Sequence, residues 1–383
     1  MKSRKLLKRN YGKVYLTFNE PVRLTELEKV YGTADENMLD IAYELTRRIN
    51  KTVTVTPNSL LFASLLSSTG KGFSGKKLKD FALFLRDFIN ARDVYLSDEV
   101  KSDEEIKSQA TSLIKDMTEE GIIMPLKVDS PSGKEQEELD FYVINQESRP
   151  GISFYKNTIM HYLLPLAFTS TALTADSEKE NISFNSIKET FLFLRDVFAY
   201  EFVYSESMKN TPEDMIHTAL EFLQKKSCIS MQGDSIRIKD ENLQTLQDCA
   251  ALIQDLIESY CIAGKSLASL EKPVLKKELE GQMKKQGITM YHLEEVFLTE
   301  ALSVPNYNNT IKYLAAQKAV TMTPKGKRDV EVKITDLPRV EETRARLNTL
   351  KTAIHVTSIK SERLKNSSVL KKENRESLQD NVH

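Results

Sequence analysis

Hydrophobic residues recur with two different periods along this chain. Between Tyr11 and Leu24 they alternate, at Val14, Leu16 and Phe18, until Pro21 stops the pattern, which predicts one β-strand. A lone strand leaves backbone groups unpaired, and no neighbouring run offers a partner. The strand is therefore expected to belong to a sheet that the chain does not supply locally.

From Thr56 onward the spacing becomes helical, and segments repeat. Phe84-Leu-Arg-Asp87 returns as Phe193-Leu-Arg-Asp196, both inside amphipathic helices. At the same offset downstream, Ser102-x-x-Glu105 and Thr211-x-x-Asp214 read as capping boxes, with Pro212 at a first helical position. The helices they open carry apolar stripes, Ile106, Ala110, Leu113 and Ile114 in one and Met215, Ala219, Phe222 and Leu223 in the other. Each runs into a hairpin: Ile122–Val128 with Leu139–Ile144 around a Pro131–Gly133 turn, and Ile229–Met231 with Ile236–Ile238 around Gln232-Gly-Asp234. A fainter third copy has Thr310–Val320 echoing Thr218–Cys228, then Val320–Thr323 and Val330–Ile334 joined by a turn at Pro324-Lys-Gly-Lys.

The pattern predicts a mainly α chain with small β-hairpins (α+β), built from up to three winged-helix-like units in series that begin near Thr56, Phe154 and Leu243. Chance likeness between amphipathic helices is the competing explanation. The polar tail from about Ser358 to His383 lacks apolar periodicity and is expected to be mobile.

Composition adds limits. Lysine and arginine total 54 against 55 acidic residues, so no net field draws the chain to nucleic acid, and a 40% hydrophobic content can fill a sizeable core. Cys228, Cys249 and Cys261 form no Cys-x-x-Cys pair and read as reduced, buried thiols. The basic start, Met1–Arg9, is followed by no apolar signal region. The longest apolar stretch, Ile159–Ala175, contains His161 and Pro165 and falls short of the ~20 residues a membrane span requires, so it reads as a core helix. Peripheral membrane contact through an amphipathic face stays compatible with the sequence.

Candidate chemistry thins out on inspection. Gly70-Lys-Gly-Phe-Ser-Gly75-Lys-Lys77 approaches two phosphate-loop patterns, but a helix rather than a strand is expected before it, and Lys77 stands where a magnesium-binding hydroxyl is needed. Ser74 reads instead as an N-cap between two helices. His161 lies on an apolar helix, while His217, His292, His355 and His383 have no companion at metal-ligand spacing. A recognition helix at Asp103–Glu120 would present Asp103, Glu104, Glu105, Asp116, Glu119 and Glu120 against Lys107 and Lys115, which repels phosphate and argues against nucleic acid.

Three segments, in order, resemble the region downstream of the catalytic motifs in glycerol-3-phosphate 1-O-acyltransferases of the bacterial membrane and mitochondrial type. Tyr11–Leu24 is similar to the family's Gly-x-Val-x-Val-x-Phe-Gly-x-Pro strand, with Asn19 at its second glycine. Phe154-Tyr-Lys-Asn-x-x-x-His161 is similar to Tyr-Tyr-Arg-Asn-x-x-x-His, and Phe193-Leu-Arg-x-x-Phe-x-x-Glu-Phe202 matches a further family stretch. The resemblance covers about Tyr11–Thr335. It implies acyl transfer from acyl-CoA or acyl carrier protein to the sn-1 hydroxyl of glycerol 3-phosphate in phospholipid synthesis, with dihydroxyacetone phosphate as a related acceptor and no cofactor.

The family's catalytic His-x4-Asp is not found: Leu166, Phe222, Phe297 and Lys360 stand five residues after His161, His217, His292 and His355. The family's phosphate-binding blocks are not found either. No catalytic residue carries over, and the chain alone is expected to be inactive. Lys156, Asn157 and His161 are the weak candidates for substrate binding or an inter-domain contact, with a hydrogen-bonded helix start as the structural reading. Arg86 and Arg195 are candidates for lipid or substrate contact, with ion pairs to neighbouring aspartates as the plainer role.

The resulting division assigns 1–55 to the end of an acyltransferase domain and linker, 56–149, 150–242 and 243–340 to three units, and 341–383 to a helical end and tail. The implied partner is a catalytic acyltransferase domain, upstream or in trans. The implied location is membrane-associated, on the cytoplasmic face of a bacterial inner or mitochondrial outer membrane. The competing function is a non-catalytic scaffold or regulatory protein.

Overall fold

The computed structural model describes residues 13, 15–68, 72–92, 94–129, 136–326 and 329–354. Val14, Gly70, Lys71, the Pro131–Gly133 turn, His355, His383 and the tail from Ser358 lie outside them. Helices dominate, and the sheets are small and antiparallel, the mainly α architecture that the periodicities predict.

Two helices open the described chain, α1 (Leu24–Tyr31) and α2 (Ala34–Lys51). One order of elements then occurs three times: helix, two-residue strand, helix, helix, hairpin. The first pass is α3 (Pro57–Leu66), β1 (Phe73–Ser74), α4 (Gly75–Asn90), α5 (Asp103–Glu119), β2 (Ile123–Asp129) and β3 (Gln136–Ile144). A short helix, α6 (Arg149–Asn157), leads into the second: α7 (Met160–Ala175), β4 (Ile182–Ser183), α8 (Phe184–Val197), the one-turn α9 (Glu206–Asn210), α10 (Pro212–Lys225), β5 (Ile229–Gln232) and β6 (Ser235–Ile238). Another, α11 (Leu243–Ala251), leads into the third: α12 (Gln254–Ala268), β7 (Val274–Leu275), α13 (Lys276–His292), α14 (Val304–Ala316), β8 (Val320–Lys325) and β9 (Asp329–Ile334). A last helix, α15, runs over 337–354.

Each sheet has the same order, with the final strand in the middle: β1-β3-β2, β4-β6-β5 and β7-β9-β8. The short strands begin on a buried apolar residue, Phe73, Ile182 or Val274, paired with Tyr142, Ile236 or Val332. In the first two units the next residue is a serine that caps the following helix. Ser74 Oγ accepts from the Lys77 amide and Ser183 Oγ from the Ser186 amide. Ser74 thus caps as expected, though it does so from a strand rather than a turn.

The junction between third helix and hairpin is also common to all three. Gly121, Ser227 and Lys318 each sit two residues past the helix with φ of 71°, 60° and 60°. The amides of these residues and of their successors turn back onto the last helical carbonyls, Gly121 to Thr118 and Ile122 to Met117, Ser227 to Gln224 and Cys228 to Leu223, Lys318 to Ala315 and Ala319 to Leu314. This paired closure needs a left-handed residue, which glycine supplies without strain and serine or lysine does not.

The first helix of each unit is central. Nearly every residue of α3, α7 and α12 is buried, and one continuous hydrophobic cluster runs through all three units. The stretch Ile159–Ala175 is therefore a core helix, and among the described residues no helix is long and apolar enough to cross a membrane. The three cysteines are free and buried.

Two local expectations meet different outcomes. Residues 15–20, whose expected sheet the chain does not supply, join no ladder among the described residues; Tyr15 hydrogen-bonds Glu99, and Asn19 Nδ2 donates to the Arg48 carbonyl at 2.9 Å. Thr211 makes no capping bond. Its amide and hydroxyl both turn back to the Ser207 carbonyl of α9, which leaves the hydroxyl facing the wrong helix, whereas Ser102 caps α5 through the Glu105 amide.

The left-handed positions are testable by thermal unfolding. Gly121→Ala is expected to destabilise by about 1 kcal/mol, while Ser227→Gly and Lys318→Gly stabilise by up to about 1 kcal/mol. Equal effects of opposite sign at equivalent places are the signature of the shared closure.

Candidate functional site

Helix α6 is short and amphipathic, and its inward positions are Arg149, Ile152 and Lys156. The two cations are 2% and 3% exposed, so each requires an acid to offset its desolvation. Both acids come from the third unit. Arg149 Nε donates to both carboxylate oxygens of Glu300 at 2.9 Å, and Lys156 Nζ reaches Asp255 Oδ1 at 2.9 Å and the Leu252 carbonyl at 3.1 Å. Glu300 is set in place by Glu258, whose carboxylate accepts the Phe297 and Leu298 amides, each at 3.0 Å.

Beside these pairs opens a groove of about 930 Å³. Its walls come from the end of α2, from α6 and α7, from the segment after α8, and from the α11–α12 and Thr299–Asn306 regions. All three candidate residues lie on it. Lys156 is held in its ion pair, Asn157 is exposed at the rim, and His161 Nε2 contacts the Asn50 carbonyl at 2.9 Å. Tyr162, its ring tilted against that of His161, donates to the same carbonyl at 2.8 Å and to that of Val53 at 3.1 Å. The Asn50 carbonyl belongs to the last turn of α2, where a helix leaves its acceptors unpaired, and Val53 lies two residues past that helix. Burial pushes the His161 imidazole down to about 4, so the ring is neutral.

The groove also receives Glu201 and Phe202, which close the second of the two helical segments quoted above. Glu201 accepts from Tyr260 Oη at 3.0 Å, and burial raises its carboxyl above the ordinary range. Segments 154–161 and 193–202 are remote in sequence and meet here. Sequence reasoning missed Glu201, Asp255 and Glu300 as groove residues. Only Glu201 carried a signal, its place in the quoted segment. Asp255 and Glu300 become groove residues through the packing of unit three against α6.

Other candidates are used up in contacts. Arg86 pairs with Asp87 at 2.8 Å and Asp103 at 2.7 Å, and Lys226 of the second unit joins Asp87 at 2.6 Å. Arg195 pairs with Asp196 at 2.8 Å. His217 stacks on Phe184. Burial raises the Cys228, Cys249 and Cys261 thiols, which suits core packing rather than nucleophilic attack. Among the described residues no cluster of histidine, cysteine and acidic side chains has the makings of a metal site.

Two predictions follow from the geometry. Lys156→Met leaves Asp255 buried alone and is expected to cost about 3–5 kcal/mol in chemical denaturation, while adding Asp255→Leu recovers most of it. Stability should also carry two opposing pH dependences. The folded state holds His161 neutral down to about 4, so an unfolded imidazole binds more protons and stability is lost as pH falls from about 6.5 to 4. Burial raises Glu258 to about 7, so its contribution is lost as pH rises from about 4.5 to 7. The two windows overlap, so the contributions oppose each other in the unaltered protein; melting temperatures from pH 4 to 8 should show a net loss toward higher pH in His161→Phe and a net loss toward lower pH in Glu258→Gln. Each contribution, once the variant removes the opposing one, is on the order of 3 kcal/mol at about 1.4 kcal/mol per pH unit.

Comparison with known proteins places these segments in context. Residues 1–323 match the family described as "Glycerol-3-phosphate acyltransferase C-terminal region". A human dihydroxyacetone phosphate acyltransferase is 24% identical over 73% of this chain and 42% of its own length. Glycerol-3-phosphate acyltransferases of Pasteurella multocida and Haemophilus ducreyi are 21% and 24% identical over 74% of this chain and 35% of theirs. The chain thus spans between about a third and two-fifths of these relatives. With a family match that covers the first two units, the groove and the third unit as far as its hairpin, the chain belongs to the glycerol-3-phosphate acyltransferase C-terminal region family.

Proposed function

We propose that this chain is the non-catalytic, helical part of an acyltransferase that moves a fatty acyl group from acyl-CoA or acyl carrier protein to the sn-1 hydroxyl of glycerol 3-phosphate, in phospholipid synthesis. Dihydroxyacetone phosphate is the alternative acceptor, since relatives are named for both. The observation that carries the reading is the convergence of the two family-like segments on one groove whose ionisable groups are already committed to each other.

Attack of a hydroxyl on a thioester needs a base that is accessible and titrates near neutral pH. His161 is a weak base at about 4 and faces a carbonyl rather than an orienting carboxylate. A phosphate-bearing substrate needs uncompensated cations, but the groove's lysine is matched by Asp255, with Glu201 and Glu300 beside it. Lys156, Asn157 and His161 therefore act as framework or contact residues, and the His-x4-Asp pair and phosphate-binding groups come from a catalytic domain in the same polypeptide or in trans.

The three units, winged-helix-like in element order, serve as scaffold. The outer side of α5, with Glu104, Glu105, Asp116 and Glu119 exposed, repels nucleic acid. Membrane association is peripheral, at a cytoplasmic face, through the assembled enzyme.

The test is an acyl-transfer assay on the purified chain with radiolabelled glycerol 3-phosphate and palmitoyl-CoA or palmitoyl acyl carrier protein. The expected result is product at the no-enzyme background with either donor. Turnover above it that disappears in His161→Ala would overturn the proposal and make the groove an active site.

A further inference from the structure

Half of the large hydrophobic side chains that are exposed among the described residues lie between Tyr15 and Ile49. They are ordered, not scattered. On α2, Met38, Ala42, Leu45 and Ile49 follow at i, i+4, i+7 and i+11, the stripe by which a helix enters a core, and all four are exposed, Met38 by 66% and Ile49 by 60%. Leu39 and Tyr43 flank the stripe, and the helix buries only Ile41 and Glu44. Just before it, the extended residues 15–19 turn Tyr15 and Asn19 onto the protein and leave Leu16 78% and Phe18 90% exposed.

This surface is held in place from beneath. Lys13 and Tyr15 engage Glu99, and Asn19 closes on the end of α2. His161 and Tyr162 grip the Asn50 carbonyl, and Arg47 and Arg48 bind Glu44, each at 2.7 Å. An apolar face that is fixed in position and open to water marks an interface, and one held ready loses little entropy on binding.

We propose that Leu16, Phe18 and the Met38–Ala42–Leu45–Ile49 stripe form the docking face for the catalytic domain of an acyltransferase. The inference rests on the proposed function and adds where that domain is held. More than half of each relative's length lies outside the match, so the relatives carry a large further portion for such a face to meet. The chemistry also fits: residues 15–20 join no ladder among the described residues and carry the alternating pattern of a strand, and α2 presents its apolar stripe. An α/β domain takes the first along a sheet edge and the second across a sheet face. The role of His161 follows, as a positioning residue that seats α2 rather than a group that touches substrate.

The test places a photo-crosslinking benzoylphenylalanine at Leu45 of the full chain in its own cells, with Thr111 on the outer side of α5 as control. The expected adduct at Leu45 contains a peptide from an acyltransferase domain bearing His-x4-Asp, at least tenfold above Thr111. Adducts only with a second copy of the chain, only with phospholipid, or equal at the two positions would overturn the proposal. A paired variant, Leu45→Asp/Ile49→Asp, replaces exposed side chains and should leave the melting temperature within a few degrees. It should lower recovered acyltransferase activity, or crosslinking at Phe18, at least tenfold. If acyltransferase activity accompanies the variant undiminished, the surface is wrong and the functional reading stands. If no acyltransferase domain is found with the unaltered chain, both fall.

Discussion

Two buried cations on one nine-residue helix set the arrangement of the three units. Arg149 and Lys156 are taken out of water on α6, and neither finds its acid in the helix's own neighbourhood. Glu300 and Asp255 must be brought from more than ninety residues away, so unit three is obliged to close against the connector between units one and two. Such pairs add little net stability over a well-packed apolar contact, but a displaced partner leaves a bare charge in the interior. They therefore select one arrangement among the many that three similar units would allow.

That selection explains how a repeated structure supports a non-repeated site. The units share their sheet order, their short strands that begin on a buried apolar residue and their left-handed helix closures. What differs is the traffic between them: Lys226 to Asp87, Phe222 between Phe84 and Phe88, and the α6 pairs. The groove forms beside α6, whose two buried cations set it apart from α11, the helix in the matching place before unit three, which carries no lysine or arginine.

Much of the architecture could be read from local pattern. The stripes at Ile106–Ile114 and Met215–Leu223, the Gln232-Gly-Asp234 turn and the core helix at Ile159–Ala175 depend on neighbours within a few turns, and periodicity reports those directly. The cap at Thr211 was misread because a one-turn helix before it redirects the hydroxyl, a competition that leaves no trace in the Thr-x-x-Asp spacing. The groove was half visible: the segment Phe154–His161 drew notice through its likeness to a family motif, yet its convergence with Glu201, Asp255 and Glu300 is a tertiary fact. The alternation at Leu16 and Phe18 was real, although periodicity alone does not say whether the apolar face meets this chain or something else.

The bond from His161 to Asn50 joins two surfaces that would otherwise be independent. Asn50 lines the groove and also terminates the helix whose far side carries the exposed stripe. In mechanical terms α2 is a beam pinned at one end by His161 and Tyr162. Whatever covers its outer side therefore lies one helix thickness from the groove wall, to which three hydrogen bonds to the Asn50 and Val53 carbonyls fasten it.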